Sequence, residues 1–145
     1  MITPLDYARF AIDCGGRVSN SEAQALMGYF DRLSRRERLI SITAQGQLQG
    51  FCAFFLLDRE ADVPIVHHRA PWTTPPDVWN GHIAFIDLVA APRWTRALRE
   101  ELTDLITWRY PTVTVGLWYR VLDGQRSDRQ CRWRVRREAL HGTTL

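Results

Sequence analysis

An acidic residue inside an apolar run is the feature of this sequence best suited to chemistry. Asp87 lies between Ile86 and Leu88 in the segment Gly81–Pro92, GHIAFIDLVAAP. Burying a carboxylate costs several kcal/mol unless it is paired or neutralised, and pKa values are tuned for acid–base catalysis at such sites. Two roles therefore stay open for Asp87. It orients a base or accepts a proton itself, or it is a structural carboxylate that pairs with a buried arginine or with backbone amides.

Histidine and tyrosine residues supply further candidates for proton transfer. His67 and His68 lie in a proline-containing segment, residues 58–80, that is long enough to overhang a cleft. Either imidazole could act as a base, because the ordinary pKa of histidine is about 6.5, although surface histidines of loops are commoner. Tyr119 could donate a proton or simply pack in the core. His82 opens the Asp87 strand and is more simply a strand-end residue.

Arginines near the start of a predicted helix are candidates for binding phosphate. Arg93 and Arg96 flank Thr95, and a helix N-terminus with nearby arginines favours anionic oxygens. The alternative is that both arginines are solvated and that Thr95 only caps the helix.

A second arginine cluster lies near the end of the sequence. The range Arg126–Arg137 holds arginines interleaved with Trp133, so it could attract nucleic acid or an acidic partner protein. Its alternation of arginine with Cys131, Trp133 and Val135 also fits a strand with one solvated face. The net charge of only +3 argues against nucleic-acid binding as the main activity.

Hydrophobic periodicity and turn signals place these residues on a mixed α/β domain. The predicted elements are a helix within Met1–Asp13, a helix from the capping-box sequence Ser19–Glu22 to about Arg36, a hairpin of Leu39–Ala44 and Gln49–Leu57, a mostly irregular segment Asp58–Asn80, a strand His82–Val89, a helix Thr95–Trp108 and strands Thr112–Val121 and Gln130–Arg137. A right-handed crossover should place the two strands around the last helix side by side and parallel. We expect a single, mostly antiparallel sheet flanked by helices.

Length and composition fit one domain spanning residues 1–145. The chain has 46% hydrophobic residues and six tryptophans, enough for one core. Its three cysteines are widely spaced without a CxxC pair, so they predict neither a disulfide framework nor a metal site. No apolar run is long enough to span a membrane and the sequence starts without a signal-peptide pattern, so a cytoplasmic location is expected.

The order of elements, Asp87 in its strand and Pro92 before the next helix resemble the GNAT superfamily of acyltransferases. The resemblance implies an acyl-pantetheine thioester bound in a cleft where two strands splay apart, with Val89, Arg93, Thr95 and Arg96 near the donor. Typical members carry a glycine-rich loop for the pyrophosphate of CoA at this place. Here the sequence is Pro92-Arg93-Trp94-Thr95-Arg96, without glycine.

The sequence is also similar to the toxin-activating lysine acyltransferases, a GNAT-like family that takes fatty acyl groups from acyl carrier protein. The similarity runs through Gln49–Cys52, Asp77–Trp79, Phe85–Ala90, Arg109–Pro111 and Tyr119–Val121. It places Asp87 at the family's catalytic aspartate, whereas the family's histidine is replaced by Arg17-Val18-Ser19.

The resemblance implies transfer of an acyl group from acyl carrier protein or CoA to an amine, for example a protein lysine. The partners would then be acyl carrier protein and an acceptor protein, with no metal required, and a homodimer stays open. The alternatives are a catalytically silent GNAT-like module that only binds its partner, and an arginine-rich domain that binds nucleic acid.

Overall fold

The computed structural model describes residues 1–15, 19–93, 95–122 and 125–136. Its elements, in chain order, are α1 (Pro4–Gly15), a 3-10 turn (Asn20–Glu22), α2 (Ala23–Arg35), β1 (Leu39–Ala44), β2 (Gln47–Leu57), α3 (Asp62–His67), β3 (Ile83–Ala90), α4 (Thr95–Arg109), β4 (Val115–Leu122) and β5 (Gln125–Arg134). This is the predicted mixed α/β architecture, a mostly antiparallel sheet flanked by helices. Among the described helices, none combines the length and the apolar character that crossing a membrane requires.

The predicted β1–β2 hairpin forms, with β2 starting at Gln47 instead of the predicted Gln49, because its turn residues accept an unusual backbone. Gln45 and Gly46 have φ angles of 53° and 77°, and a two-residue hairpin turn of this kind needs positive φ at both positions. Ala44 pairs with Gln47 across the turn. The hairpin thus fixes the register of β2, against which β3 then pairs.

The sheet has the strand order β1-β2-β3-β4-β5, and only the β3–β4 pair is parallel. As predicted, helix α4 connects these two strands. Their pairing runs only from Ile83 with Val115 to Ile86 with Trp118. Beyond that point β3 pairs only with β2, and β4 pairs only with β5, in the described residues. We call the place where β3 and β4 part, directly after Ile86 and Trp118, the fork.

Each face of the sheet carries its own hydrophobic core. Helices α1 and α2 cover one face, where Tyr29 and Phe30 of α2 meet Phe51, Phe55 and Phe85 of the sheet. Helix α4 covers the other face with Leu98, Leu102 and Ile106, which pack against Phe54, Leu56 and Ala84. Alternate residues of β2 therefore enter opposite cores, which explains why this strand is an unbroken apolar run in the sequence.

Some expectations about local structure need correction. The segment 58–80 is mostly irregular, as predicted, but it also contains the short helix α3, which was not predicted. Val63 and Val66 of α3 are buried in the α2-side core, so tertiary packing supports a helix too short to be evident in the sequence. Pro64 is tolerated because the first amides of a helix have no intrahelical acceptor.

Strand β5 begins at Gln125, earlier than the predicted Gln130. The turn predicted at Asp123-Gly124 lies outside the described residues. At the start of α2, the backbone N–H of Ser19 donates to Oε1 of Glu22 at 3.4 Å, as a capping box requires.

Candidate functional site

Asp87 and Tyr119 stand on the two sides of the fork, each being the first residue past the parallel pairing. Asp87 is also the extra residue of a β-bulge, since Phe54 pairs with Ile86 whereas Ala53 pairs with Leu88. Bulges redirect side chains and occur often beside functional sites. Strand alternation places Asp87 on the same face as Phe85, and its carboxylate contacts Tyr29 on the α2 side of the sheet.

The Asp87 carboxylate is the acceptor of a buried polar cluster with Arg69 and Tyr29. Arg69 donates from Nη1 to Oδ1 at 2.9 Å and from Nη2 to Oδ2 at 3.0 Å. The hydroxyl of Tyr29 donates to Oδ2 at 2.5 Å and accepts a bond from Nη2 of Arg69 at 3.1 Å. The side chains of Arg69 and Asp87 are 14% and 6% exposed. This fork cluster is closed, because each member contacts both of the others.

Burial and pairing set the protonation of the fork cluster. Burial, reinforced by the Asp87 carboxylate, raises the pKa of Tyr29 well above its usual range, so the hydroxyl keeps its proton and donates. Burial works against the charge on Arg69, but the hydrogen bonds and the charge of Asp87 outweigh it and raise the pKa of the guanidinium. The cluster therefore contains a charged arginine and a neutral tyrosine, both directed at one carboxylate.

This geometry agrees with the structural alternative for Asp87, pairing with a buried arginine. Both carboxylate oxygens accept bidentate bonds from Arg69, the strongest arrangement such a pair can adopt. Two surface pockets, one of about 650 Å³ beside Arg38 and Trp79 and one of about 350 Å³ beside Arg9 and Leu48, are not lined by Asp87. The carboxylate can hold the strand at the fork, while its role in proton transfer stays a prediction.

His67 lies on the other side of the fork, stacked on Tyr119. The two ring centroids are 3.6 Å apart at an interplanar angle of 10°, and His67 is buried. Its Nε2 is 3.1 Å from the Ser127 carbonyl oxygen. The Tyr119 hydroxyl accepts a hydrogen bond from Nε2 of Gln130 at 3.2 Å, and this bond does not use the hydroxyl's own proton.

The end of α3 therefore bridges the fork. His67 contacts Tyr119 of β4, and Arg69, two residues later, contacts Asp87 of β3. His68 between them is exposed, with Nε2 3.1 Å from Oδ1 of Asp128 in β5. The structure thus gathers His67, His68, Tyr119 and Asp87 around one opening of the sheet.

His82 lies at the start of β3, several residues away from the fork along the strand. Its Nδ1 is 3.1 Å from the Thr112 carbonyl oxygen, and its Nε2 is 3.8 Å from Oδ1 of Asp58. These contacts are those of a strand-end residue, the simpler of the two interpretations.

The donor-binding candidates occupy the β3 edge and the start of α4. Val89 is 43% exposed although it belongs to a strand, and Arg93 and Arg96 are exposed. Arg96 makes only a loose ion pair of 3.6 Å with Glu100. Thr95 does not cap α4 through its side chain, since its hydroxyl donates to the Ala91 carbonyl at 2.8 Å. Binding of anionic oxygens by these arginines stays a prediction, and Thr95 links the helix start to Ala91, just after β3.

The arginine face predicted for Gln130–Arg137 is present over residues 131–136, although β5 ends at Arg134 and Arg137 lies outside the described residues. Arg132, Arg134 and Arg136 are exposed, whereas Cys131 and Trp133 are half-buried and Val135 is buried. Trp133 crosses Gly116 of β4 so closely that a Cβ there would lie 2.4 Å from the indole ring. The strand alternation accounts for these arginines without a nucleic-acid ligand.

Tyr29, Arg69 and Asp128 are the site residues that sequence reasoning missed. Tyr29 and Arg69 lie 58 and 18 residues from Asp87, and local spacing carries no sign of such contacts. The one available signal was the apolar setting of Asp87, which required a buried partner of opposite charge.

Comparison with solved structures identifies the fold as GNAT-like. The decarboxylase GphF, a GNAT-like protein in complex with isobutyryl-CoA, aligns with a TM-score of 0.58 and 13% identity over 84% of this chain and 65% of that one. A Desulfovibrio desulfuricans protein assigned to the GNAT family of acetyltransferases aligns with a TM-score of 0.51 and 14% identity over 81% of this chain and 66% of its own. The loading GNATL domain of CurA from Lyngbya majuscula gives 0.50 and 9% identity, covering 83% and 62%.

The chain spans slightly less than two thirds of the length of each of these three structures. No protein-family model matches the sequence. No curated protein matches it either. The predicted GNAT-like architecture is confirmed, and the narrower similarity to the toxin-activating acyltransferases stays a prediction.

Proposed function

We propose that this chain binds an acyl-pantetheine thioester at the fork and transfers the acyl group to an amine. The observation that carries the proposal is the early end of the β3–β4 pairing, after Ile86 and Trp118. Past this point the two strands present backbone N–H and C=O groups towards each other without pairing. The pantetheine arm contains amides, and an extended chain with amides can hydrogen-bond to such an open strand edge.

The phosphate end of the donor would meet the start of α4. Helix α4 has 15 residues and follows directly on β3, so its N-terminal amides and dipole lie at the end of the same edge. Arg93 and Arg96 add positive charge there, in place of the glycine-rich loop that this chain lacks. This arrangement suits a phosphopantetheine on acyl carrier protein as well as CoA. Exposed Arg132 and Arg134 offer an acidic carrier protein a further surface.

Transfer would proceed by direct attack of the amine on the thioester carbonyl. A carbon–nitrogen bond forms and the carbon–sulfur bond breaks. The attacking amine releases one proton to the solvent, and the thiolate takes one from Tyr119, which regains a proton from the solvent. Tyr119 stands at the fork with a hydroxyl proton that its bond to Gln130 does not use, so it can protonate the sulfur. The fork cluster of Tyr29, Arg69 and Asp87 would hold the β3 edge in place for the donor.

Purified protein incubated with labelled acyl-CoA or acyl–acyl carrier protein and a lysine-containing peptide tests the proposal. The sequence contains no lysine, so the enzyme offers no lysine side chain to compete with the peptide as acceptor. We expect saturable donor binding and label in the peptide. Absence of both binding and transfer with either donor contradicts the proposal.

A matched pair of variants tests where the donor binds. The double variant Arg93→Ala/Arg96→Ala should weaken donor binding by roughly tenfold, with less dependence on salt, because phosphate contacts are charge-assisted. Arg99→Ala removes an exposed arginine of α4 farther from the helix start and should bind like the wild type. Equal affinity of all three proteins would place the donor elsewhere.

A second candidate, a module that binds the donor or its carrier without transfer, is favoured by one observation. Both Asp87 oxygens are occupied by Arg69, so the carboxylate is poorly placed to take a proton from an amine. Donor binding without labelled peptide in the same assay would support this candidate over the enzyme.

A further inference from the structure

Two histidines and an aspartate converge outside the fork cluster, and we propose that they bind a divalent transition-metal ion of the zinc type. His67 is the last residue of α3, His68 follows it, and Asp128 belongs to β5. One ligand atom from each lies within 4.8 Å of the other two. This proposal does not depend on the proposed acyl transfer, and the spacing of cysteines and histidines in the sequence does not predict it.

The separations suit tetrahedral coordination. Nε2 of His68 is 3.1 Å and Nε2 of His67 is 3.8 Å from the same Asp128 oxygen. Bonds of about 2.0–2.1 Å to a tetrahedral zinc ion place ligand atoms roughly 3.3 Å apart. Small side-chain adjustments therefore bring the three atoms to coordination distance. The imidazole nitrogen is a borderline donor and the carboxylate oxygen a hard one, and a set with two imidazoles is typical of Zn²⁺ and its neighbours rather than of Mg²⁺.

One of the three ligands is already held rigidly. His67 is buried and stacked on Tyr119, so its ring cannot turn freely, and Nε2 is the nitrogen nearest Asp128. The Ser127 carbonyl, 3.1 Å from the same nitrogen, would give up this contact or approach the ion as a further oxygen ligand. A fixed ring lowers the entropic cost of forming the site.

The other two ligands are exposed, so the remaining coordination position opens to solvent. Three protein ligands with one open position are the pattern of exchangeable or reactive metal sites. The ion would also tie α3 to β5 beside the fork. With both imidazoles bound to metal, neither His67 nor His68 is available as a free base. Neither can then replace the family histidine that is absent before α2 in this sequence.

Equilibrium dialysis with Zn²⁺ alone, and absorption spectroscopy with Co²⁺ as a coloured substitute, test the site. We expect one equivalent of metal per chain, Co²⁺ bands of tetrahedral intensity and a rise in Tm on adding Zn²⁺ but not Mg²⁺. His68→Ala and Asp128→Ala should each weaken Zn²⁺ binding at least about tenfold and abolish the rise in Tm. Both side chains are exposed, so neither substitution removes core packing.

The chain provides matched controls. His82 and Asp58 form a pair with the same 3.8 Å separation but no third ligand in the described residues, so His82→Ala should bind Zn²⁺ like the wild type. His141→Ala and Cys14→Ser/Cys131→Ser remove the remaining histidine and the two cysteines that are not buried, and both variants should also retain binding. No stoichiometric binding, or wild-type affinity in His68→Ala and Asp128→Ala, would overturn the proposal.

Discussion

Two buried arginine–aspartate pairs join the segment between β2 and β3 to the rest of the protein, and they differ in surroundings rather than in chemistry. Arg69 and Asp87 are 14% and 6% exposed, and Arg38 and Asp77 are 8% and 12% exposed. In each pair a tyrosine hydroxyl contacts the arginine, Tyr29 in the first and Tyr110 in the second. Both pairs have the hydrogen bonds that buried charges require.

The Arg38–Asp77 pair lies against continuous secondary structure. Asp77 accepts the backbone N–H of Leu56, inside β2, at 2.7 Å, and Arg38 lies over the rings of Phe54 and Tyr110. The Arg69–Asp87 pair instead lies at a bulge and at the fork, where the sheet opens. Only the Arg69–Asp87 pair borders the proposed donor site. Comparing variants of the two pairs can therefore distinguish a loss of stability, expected for both, from a loss of function, expected only at the fork.

The largest expected effect comes from removing one charge of each pair. Asp87→Asn and Asp77→Asn should each lower the free energy of unfolding by about 3–5 kcal/mol, because each leaves a buried guanidinium without its counter-ion. Only Asp87→Asn should also reduce donor binding and transfer. Urea unfolding and the donor assay, run on both variants, give the comparison. Equal loss of donor binding in the two variants would mean that the fork has no special role.

The overall architecture followed from local patterns, whereas the site depended on distant contacts. Amphipathic spacing predicted α2, the Gln45-Gly46 turn predicted the hairpin, and the β3–α4–β4 unit predicted the one parallel pair. Helix α3 was missed because two valines buried by tertiary packing stabilise it, and six residues carry too little periodicity.

Asp87 stood out because its neighbours are apolar, but the identity of its partner could not be predicted. Arg69 is one of nineteen basic residues, and nothing in its own neighbourhood distinguishes it. Strand alternation puts Asp87 on the face of Phe85, but which residue reaches it there depends on how the segment between β2 and β3 packs, which no local pattern encodes. For the same reason the contacts of Asp128 with His67 and His68 could not be predicted.

Replacing the tyrosines should give a smaller effect that sharpens the comparison. Tyr29→Phe removes a buried hydroxyl that donates to Asp87 at 2.5 Å, and we expect a loss of about 1.5–3 kcal/mol in the free energy of unfolding, as for hydrogen bonds to charged groups. Tyr110→Phe removes the acceptor of a 2.9 Å bond from Arg38. Tyr110 is only partly buried, so water can replace the hydroxyl and the loss should stay below about 1 kcal/mol. Equal losses would show that the Arg69–Asp87 and Arg38–Asp77 pairs depend equally on their tyrosines.

The smallest effect of the fork cluster appears at alkaline pH and comes from Tyr29, whose share is up to about 1.4 kcal/mol between pH 10 and pH 11. Burial raises the pKa of Tyr29 above its ordinary value of 10.0, and burial raises the pKa of the Cys52 thiol from 9.0 to about 12. The unfolded chain therefore loses these protons at lower pH than the folded chain does. Stability from Cys52 is complete below about pH 9 and is lost as the pH rises towards about 12, and that from Tyr29 declines above about pH 10. Each group should cost up to about 1.4 kcal/mol for each further pH unit.

Urea unfolding between about pH 8 and pH 11 should show this decline in the free energy of unfolding. The decline should be shallower in Tyr29→Phe above about pH 10 and in Cys52→Ala from about pH 9. A Tyr29→Phe profile parallel to that of the wild type would mean that the hydroxyl ionises in the folded protein as easily as in water, contrary to its burial beside Asp87.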